Sequence, residues 1–152
     1  YPANVMTLWS DAQLKGIGVY RVVVDDSKYK DPKYYINTNQ TFAFASNKVK
    51  ATYGTATAKD LDTLKIEHKQ VITNQAYGLL QPNDWLVVRK QEAGTDIPSD
   101  WTTFRTGVRT SADSMKSKID AVSDVDALAA LYVYNDADPP VRPLGEFPTP
   151  PE

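Results

Sequence analysis

The spacing of apolar residues in the second half of the chain constrains the fold more than any other feature. From Lys59 onward these residues recur about every 3.6 positions, which is the period of one face of an α-helix. The first stripe comprises Leu61, Leu64, His68, Val71, Ile72, Gln75 and Leu79. The second comprises Trp101, Phe104, Val108, Ala112, Met115, Ile119 and Val122. The pattern predicts two long amphipathic helices that pair antiparallel.

Helix-breaking residues subdivide this helical part. Pro82 interrupts the first stripe, and Gly94 is suited to end a short helix that we predict over residues 84–93. The next helix begins near Pro98, and residues 123–131 predict a last short helix with its own N-cap.

Three aromatic residues are predicted to form the core of the helical part, namely Trp85, Trp101 and Phe104. Arg89 and Arg105 each follow a tryptophan by four residues, which is one helical turn. We expect them to stack on these rings or to pair with neighbouring aspartates, so that their role is structural.

The first part of the chain has the alternating pattern of β-strands. Residues 19–25 are rich in β-branched side chains, and residues 41–53 resemble a hairpin. The alternation predicts that five side chains of the hairpin lie on the same face, namely Phe42, Phe44, Val49, Ala51 and Tyr53. A capping box of Ser10 and Gln13 predicts a short helix before the strands, and residues 28–34 predict an exposed connection. Together these segments predict a three-stranded antiparallel β-meander.

The predicted fold class is therefore α+β with three parts. Residues 1–58 form the small antiparallel meander, residues 59–134 form the helical hairpin or bundle, and residues 135–152 form an extended tail. Six of the ten prolines lie in this tail. A segment of this composition is ordered only where something holds it.

Composition argues against several classes of protein. An apolar share of 41% and a charged share of 24% are typical of a folded domain, and no apolar run reaches the ~18 residues of a membrane span. A formal net charge of -2, with lysines and arginines spread among acidic residues, argues against nucleic acid as the main ligand. The chain has no cysteine and one histidine, so we expect no thiolate-bound or His-rich metal site and no cofactor.

No residue pattern predicts catalysis. His68 is the one side chain with a pKa suited to a general base at neutral pH, but it lies in the apolar stripe of a helix and no nucleophile motif accompanies it. We interpret it as a hydrogen-bonded packing residue. Asp25, Asp26 and Asp31 lack the spacing of a calcium loop and are interpreted as an acidic turn. The sequence thus predicts a protein that is not an enzyme.

Two sets of residues resemble tail proteins of tailed bacteriophages, related to fibre-associated and tail-fibre-assembly proteins. The first set is Tyr1-Pro2-Ala3-Asn4-Val5, Trp9-Ser10, Leu14 and Ile17-Gly18-Val19-Tyr20. The second is Leu80, Pro82, Asp84-Trp85, Arg89, Glu92, Gly94-Thr95, Trp101, Phe104-Arg105 and Arg109. The resemblance implies a structural component of the virion tail, made in the host cytoplasm, whose partners are other tail or fibre subunits in a homo-oligomer or larger assembly.

The chain departs from the assembly chaperones of this group, which end soon after the helix containing the Trp-x-x-Phe-Arg pattern. This departure favours a subunit whose tail lies across a neighbour, because polyproline segments lose little entropy on docking. The expected docking residues are Pro139, Pro140, Pro143, Phe147 and Pro148. Two alternatives remain: a tail-fibre assembly chaperone, and a carbohydrate-binding module that uses exposed tyrosines such as Tyr34 and Tyr53.

Overall fold

A computed structural model describes residues 4–151. Tyr1, Pro2 and Ala3, which contribute to the resemblance, and Glu152 at the end of the predicted tail lie outside the described residues. The fold is mixed α+β, as predicted, and the chain divides into two compact units, Tyr1–Lys59 and Asp60–Glu152. The C-terminal segment belongs to the second unit.

The first unit begins with two short helices, α1 (Val5–Leu8) and α2 (Asp11–Gly16). The Ser10 hydroxyl accepts a hydrogen bond from the Gln13 backbone N–H at 3.3 Å, and the Gln13 side chain accepts one from the Ser10 N–H at 2.9 Å. This reciprocal pair satisfies two N–H groups that the first turn of a helix leaves free. The predicted capping box is confirmed, whereas α1 was not predicted.

Five strands follow, β1 (Arg21–Asp25), β2 (Tyr35–Ile36), β3 (Gln40–Ala45), β4 (Lys48–Tyr53) and β5 (Thr57–Ala58). β3 and β4 form the predicted antiparallel hairpin. Ser46, in the two-residue loop between them, has a φ of 60°, and positive φ is what short hairpin loops require.

The predicted antiparallel meander is wrong in the placement of β1. The main sheet has the order β1-β4-β3, and β1 pairs parallel with β4, with Val22 opposite Val49 and Val24 opposite Ala51. A parallel pair needs a crossover of a dozen or more residues, and the chain between the two strands is long enough to supply it. Alternation along a strand shows which residues share a face, but it does not show the direction of the neighbouring strand.

The second sheet of this unit is a two-stranded antiparallel ladder of β2 and β5. Tyr34, directly before β2, is buried with 5% of its surface exposed, and its carbonyl accepts a hydrogen bond from the Lys59 N–H at 3.0 Å. The predicted exposed connection over residues 28–34 is therefore wrong at its end, where Tyr34 is buried next to a ladder that was not predicted.

The second unit contains four α-helices and a 3₁₀ turn. They are α3 (Leu61–Leu80), the 3₁₀ turn Gln81–Asn83, α4 (Trp85–Ala93), α5 (Ser99–Ala121) and α6 (Val125–Ala130). The Asp60 carboxylate caps α3 by accepting from the Thr63 N–H at 2.8 Å, and bonds from Thr63 hold the Asp60 pKa below its usual value. Gly94 ends α4 with a φ of 66°, which confirms the predicted C-cap.

The two long helices α3 and α5 pack antiparallel. Lys69, in the first half of α3, pairs with Asp120 at the end of α5 at 2.6 Å, while the Leu80 carbonyl at the end of α3 accepts from Arg105 near the start of α5 at 3.2 Å. The apolar core of the unit consists of Leu64, Ile72, Leu86, Phe104, Val108, Ala112, Met115, Ile119, Val125, Leu128 and Leu144. The predicted stripes therefore do meet, except that two predicted members on α3 are exposed, namely Val71 at 51% and Gln75.

The proline-rich segment packs on its own helical unit, contrary to the prediction that it leaves the domain. Leu144 is 1% exposed, and its N–H donates to the Leu131 carbonyl at 2.9 Å. The Lys118 ammonium group on α5 donates to the carbonyls of Pro143 at 2.8 Å and Leu144 at 3.1 Å. A short apolar anchor and one ammonium group thus hold a segment that forms no helix or strand of its own.

Replacing Lys118 with methionine is expected to loosen this segment while leaving the helices folded. Lys118 is an exposed residue, so we expect its hydrogen bonds to contribute about 0.5–1.5 kcal/mol and the Leu144 amide to exchange its hydrogen roughly 2- to 10-fold faster when they are removed. Hydrogen-exchange mass spectrometry or NMR measures this rate. Lys90→Met is the matched control, because Lys90 pairs with Asp96 at the surface and its side chain is 57% exposed. Equal protection in both variants would contradict the anchoring role of Lys118.

Candidate assembly surface

The pairing register of the main sheet separates its residues into an apolar and a polar face. Side chains of directly paired residues lie on the same face, and the face alternates along each strand. We call one side the apolar face; it consists of Val22, Val24, Phe42, Phe44, Val49, Ala51 and Tyr53, with Gln40 opposite Tyr53 at one end. The predicted grouping of the five hairpin residues is therefore correct, and β1 adds two valines to it.

Most of the apolar face is exposed. The exposed fractions are 64% for Phe42, 76% for Phe44, 54% for Val22 and 50% for Val24. The Tyr20 ring touches the Phe44 ring edge-on at 5.0 Å between centroids without burying it. Exposed apolar patches that join several large side chains are uncommon on monomers and usually mark an interaction site.

The unit that carries this face has a very small core. Among the described residues 4–59, Leu14, Tyr34 and Ala51 are the ones that are buried. A unit of this size is marginally stable even when its sheet is covered on one side, because its buried apolar area must offset the conformational entropy of the chain. Covering the exposed side of the sheet would therefore add buried apolar area and stabilise the unit.

The charged side chains on the opposite, polar face form ion pairs within the unit. Arg21 and Lys48 both pair with Asp11 of α2, the latter at 3.1 Å, and Lys50 pairs with Asp25 at 2.8 Å. Hydrogen bonds from Arg21 and Lys48 lower the pKa of Asp11, and bonds from Lys50 and then Ser27 hold the pKa of Asp25 well below its usual range. The charged residues of the polar face are thus paired within the unit, with part-buried side chains at Asp11, Arg21 and Asp25, while the large side chains of the opposite face stay exposed.

Trp85, predicted to belong to the helical core, lies on the surface instead. It is 56% exposed, and the Arg89 guanidinium stacks over its ring at 4.8 Å. The 3₁₀ turn before α4 changes the helical phase, so that Leu86, with 4% exposure, takes the inward position. Of the two expected modes for Arg89, stacking on the ring is the one observed.

The other two predicted core residues lie where α5 begins. Phe104 is buried with 4% exposure, and Trp101 is half-buried with its ring edge-on to that of Phe104, 5.8 Å between centroids. Arg105 is buried at 6% and donates to Asp84 at 2.8 Å and to the side chain of Asn83. The expected pairing of Arg105 with an aspartate is therefore confirmed, whereas its burial was not predicted.

The five predicted docking residues occupy different environments. Pro139 and Pro140 are exposed in a loop closed by the Asn135 side chain, which accepts from the Val141 N–H at 2.9 Å. The Pro143 carbonyl is held by Lys118. Phe147 and Pro148 are half-buried and line a groove of about 450 Å³ with Leu79 of α3. Pro148 also lies against Gly107 of α5, where an added Cβ would come within 3.3 Å of its ring.

The histidine considered as a general base packs inside the helical unit, and the acidic residues considered as metal ligands do not cluster. His68 is 7% exposed, and its Nδ1 lies 2.5 Å from the Tyr132 hydroxyl, which confirms the interpretation as a hydrogen-bonded packing residue. Within residues 4–151, no three His, Cys, Asp or Glu side chains gather as metal ligands would. None of the described helices combines the length and apolar composition needed to cross a bilayer.

The tyrosines proposed for carbohydrate binding do not form one exposed platform. Tyr34 is buried, so the expectation that it is an exposed binding residue is wrong. Tyr53 is half-buried and contacts the ring of Tyr29 at 4.9 Å between centroids, while Tyr29 itself is 45% exposed. The large exposed side chains of the unit therefore concentrate on β1 and β3 rather than at these tyrosines.

Comparison with known proteins adds no assignment. No family model matches the chain, and neither the curated protein sequences nor the solved structures contain a significant match.

Proposed function

We propose that the chain is a non-enzymatic structural subunit that works by assembling with other subunits through the apolar face of its main sheet. The observation that supports this proposal is the exposure of Phe42, Phe44, Val22 and Val24 on a unit with very few buried residues. Burying such a face contributes about 25 cal/mol for each Å² of apolar surface, so association supplies the stabilisation that the small core lacks.

The proposed setting is the tail or a tail fibre of a bacteriophage, with the protein present in the finished virion. This setting rests on the sequence resemblance, whereas the mode of action rests on the sheet. An exposed apolar face suits a subunit that stays in contact with its neighbours. A fibre-assembly chaperone would use the same surface transiently and leave the particle.

The apolar face is tested by replacing both of its phenylalanines, as Phe42→Ser/Phe44→Ser. Large aromatic residues at the centre of an interface often contribute 2 kcal/mol or more each, so the double variant should associate at least ~100-fold more weakly. Sedimentation or light scattering over a concentration series measures this change.

The matched control is Ile66→Ser/Tyr77→Ser, which removes two exposed apolar side chains from α3. Ile66 is 66% exposed and Tyr77 is 61% exposed. If both double variants associate as the wild type does, the apolar face is not the assembly surface. Mass spectrometry of purified particles then separates a virion subunit from a chaperone, which would be absent from particles but found in a soluble complex with fibre protein.

A further inference from the structure

The outer edge of β3 is a second uncovered surface, and it is continuous with the apolar face. β3 is the last strand in the order β1-β4-β3, so among the described residues one edge pairs with β4 and the other pairs with no strand. On such an edge, every second residue points its N–H and C=O groups away from the sheet, ready to pair with another strand.

The edge of β3 lacks the features that normally prevent pairing. Proteins protect exposed edges with charged residues, prolines or bulges. The β3 sequence Gln-Thr-Phe-Ala-Phe-Ala contains no charge and no proline, and its six residues pair with β4 without a bulge. The other edge strand, β1, ends in Arg21 and Asp25, which are both engaged in ion pairs. Of the two edges, β3 is therefore the one suited to pairing.

The apolar face of a single copy is small for a protein interface. From the exposed fractions of its four large side chains, the face offers on the order of 400 Å². A stable protein interface buries about 800 Å² on each partner. Two copies joined edge to edge place their apolar faces side by side, so the combined surface that a further subunit can cover is about twice as large.

We infer that β3 pairs antiparallel with β3 of a second copy of this chain, which joins the two three-stranded sheets into one of six strands. The strand is suited to pair with itself because aromatic and small residues alternate along it. An antiparallel pair around a two-fold axis centred at Ala43 places Phe42 beside Phe44 of the other copy on the apolar face, and Ala43 beside Ala43 on the polar face. This inference rests on the proposed function, since it names the partner and the geometry of the same assembly surface.

The test uses acidic residues on the polar face of β3, in the variant Ala43→Glu/Ala45→Glu. Within the subunit these positions are opposite Lys50 and Lys48, so the new carboxylates are compatible with the fold. In any antiparallel pairing of β3 with itself, residues of the polar face meet each other, and the glutamates come close to those of the second copy. We expect association to weaken roughly tenfold, measured by light scattering, with an unchanged far-UV circular dichroism spectrum.

The matched control is Val23→Glu, on the same face of the other edge strand. Val23 is also opposite Lys50 and is 45% exposed, so this glutamate meets the same lysine as one of the two glutamates in the β3 variant. This variant should associate as the wild type does.

Several outcomes would overturn the pairing of β3 with itself. These are an equal loss in Val23→Glu, or a wild-type chain that stays monomeric at all concentrations. If the glutamate variant associates normally while Phe42→Ser/Phe44→Ser does not, the edge pairing fails and assembly through the apolar face stands. If neither variant changes association of an oligomeric wild type, both proposals fail.

Discussion

Arg105→Ala is expected to lower the free energy of unfolding of the helical unit by about 3 kcal/mol. The Arg105 side chain is 6% exposed and connects three groups at the junction of α3 and α4. It donates to the Leu80 carbonyl at 3.2 Å, to the buried Asn83 side chain, and to Asp84 at 2.8 Å. The Asp84 side chain is 53% exposed, so its ion pair contributes little, and most of the loss comes from the buried groups left without a donor.

Thermal unfolding followed by circular dichroism measures this effect. In a domain of this size, 1 kcal/mol corresponds to about 4–8 °C in Tm, so Arg105→Ala should lower Tm by more than about 10 °C. Arg105→Lys should recover only part of the loss, because an ammonium group cannot reach all three acceptors as a planar guanidinium does. Arg109→Ala, one turn later and exposed, is the control and should change stability by no more than about 0.5 kcal/mol. A Tm for Arg105→Ala equal to that of Arg109→Ala would refute the role of Arg105 in this junction.

Phe104→Ala is expected to destabilise the helical unit by about 3–5 kcal/mol. Phe104 is 4% exposed at the start of α5, and removing its ring leaves a cavity beside Trp101 that the surrounding helices can fill only in part. Denaturant titration should show a lower midpoint, with tryptophan fluorescence reporting the change around Trp101.

Trp85→Ala is the informative comparison, because sequence reasoning assigns Trp85 and Phe104 to the same core. Trp85 is 56% exposed, so Trp85→Ala should lower the free energy of unfolding by no more than about 1 kcal/mol. Most of this loss comes from the contact between the Trp85 ring and Arg89. A loss for Trp85→Ala as large as that for Phe104→Ala would show that the ring is buried and that the assigned phase of α4 is incorrect.

The helices were predictable because their signals are local. Ser10 with Gln13 caps α2, Gly94 ends α4, and Asp124 caps α6 by accepting from the Ala127 N–H at 2.7 Å. Each of these signals involves residues within one helical turn, so it can be recognised without knowledge of the fold. The same holds for the β3–β4 hairpin, where alternation and a two-residue loop are adjacent in the sequence.

The candidate assembly surface was only partly predictable. Alternation placed Phe42 and Phe44 on one face with Val49 and Ala51, which the register bears out. It did not indicate that Ala51 is fully buried while the two phenylalanines are exposed. Exposure depends on what packs above a strand, and no pattern within the strand records that.

The sequence by itself determined the types of the main elements, most of their caps and the residues that share each face, because backbone hydrogen bonding and side-chain periodicity act over a few residues. Tertiary structure decided that β1 lies parallel to β4, that Leu86 rather than Trp85 enters the core, and that Leu144 and Lys118 hold the C-terminal segment against α5. These outcomes depend on contacts between residues far apart in the chain. Their free energies come from burying apolar area and satisfying buried polar groups, which only the assembled fold defines.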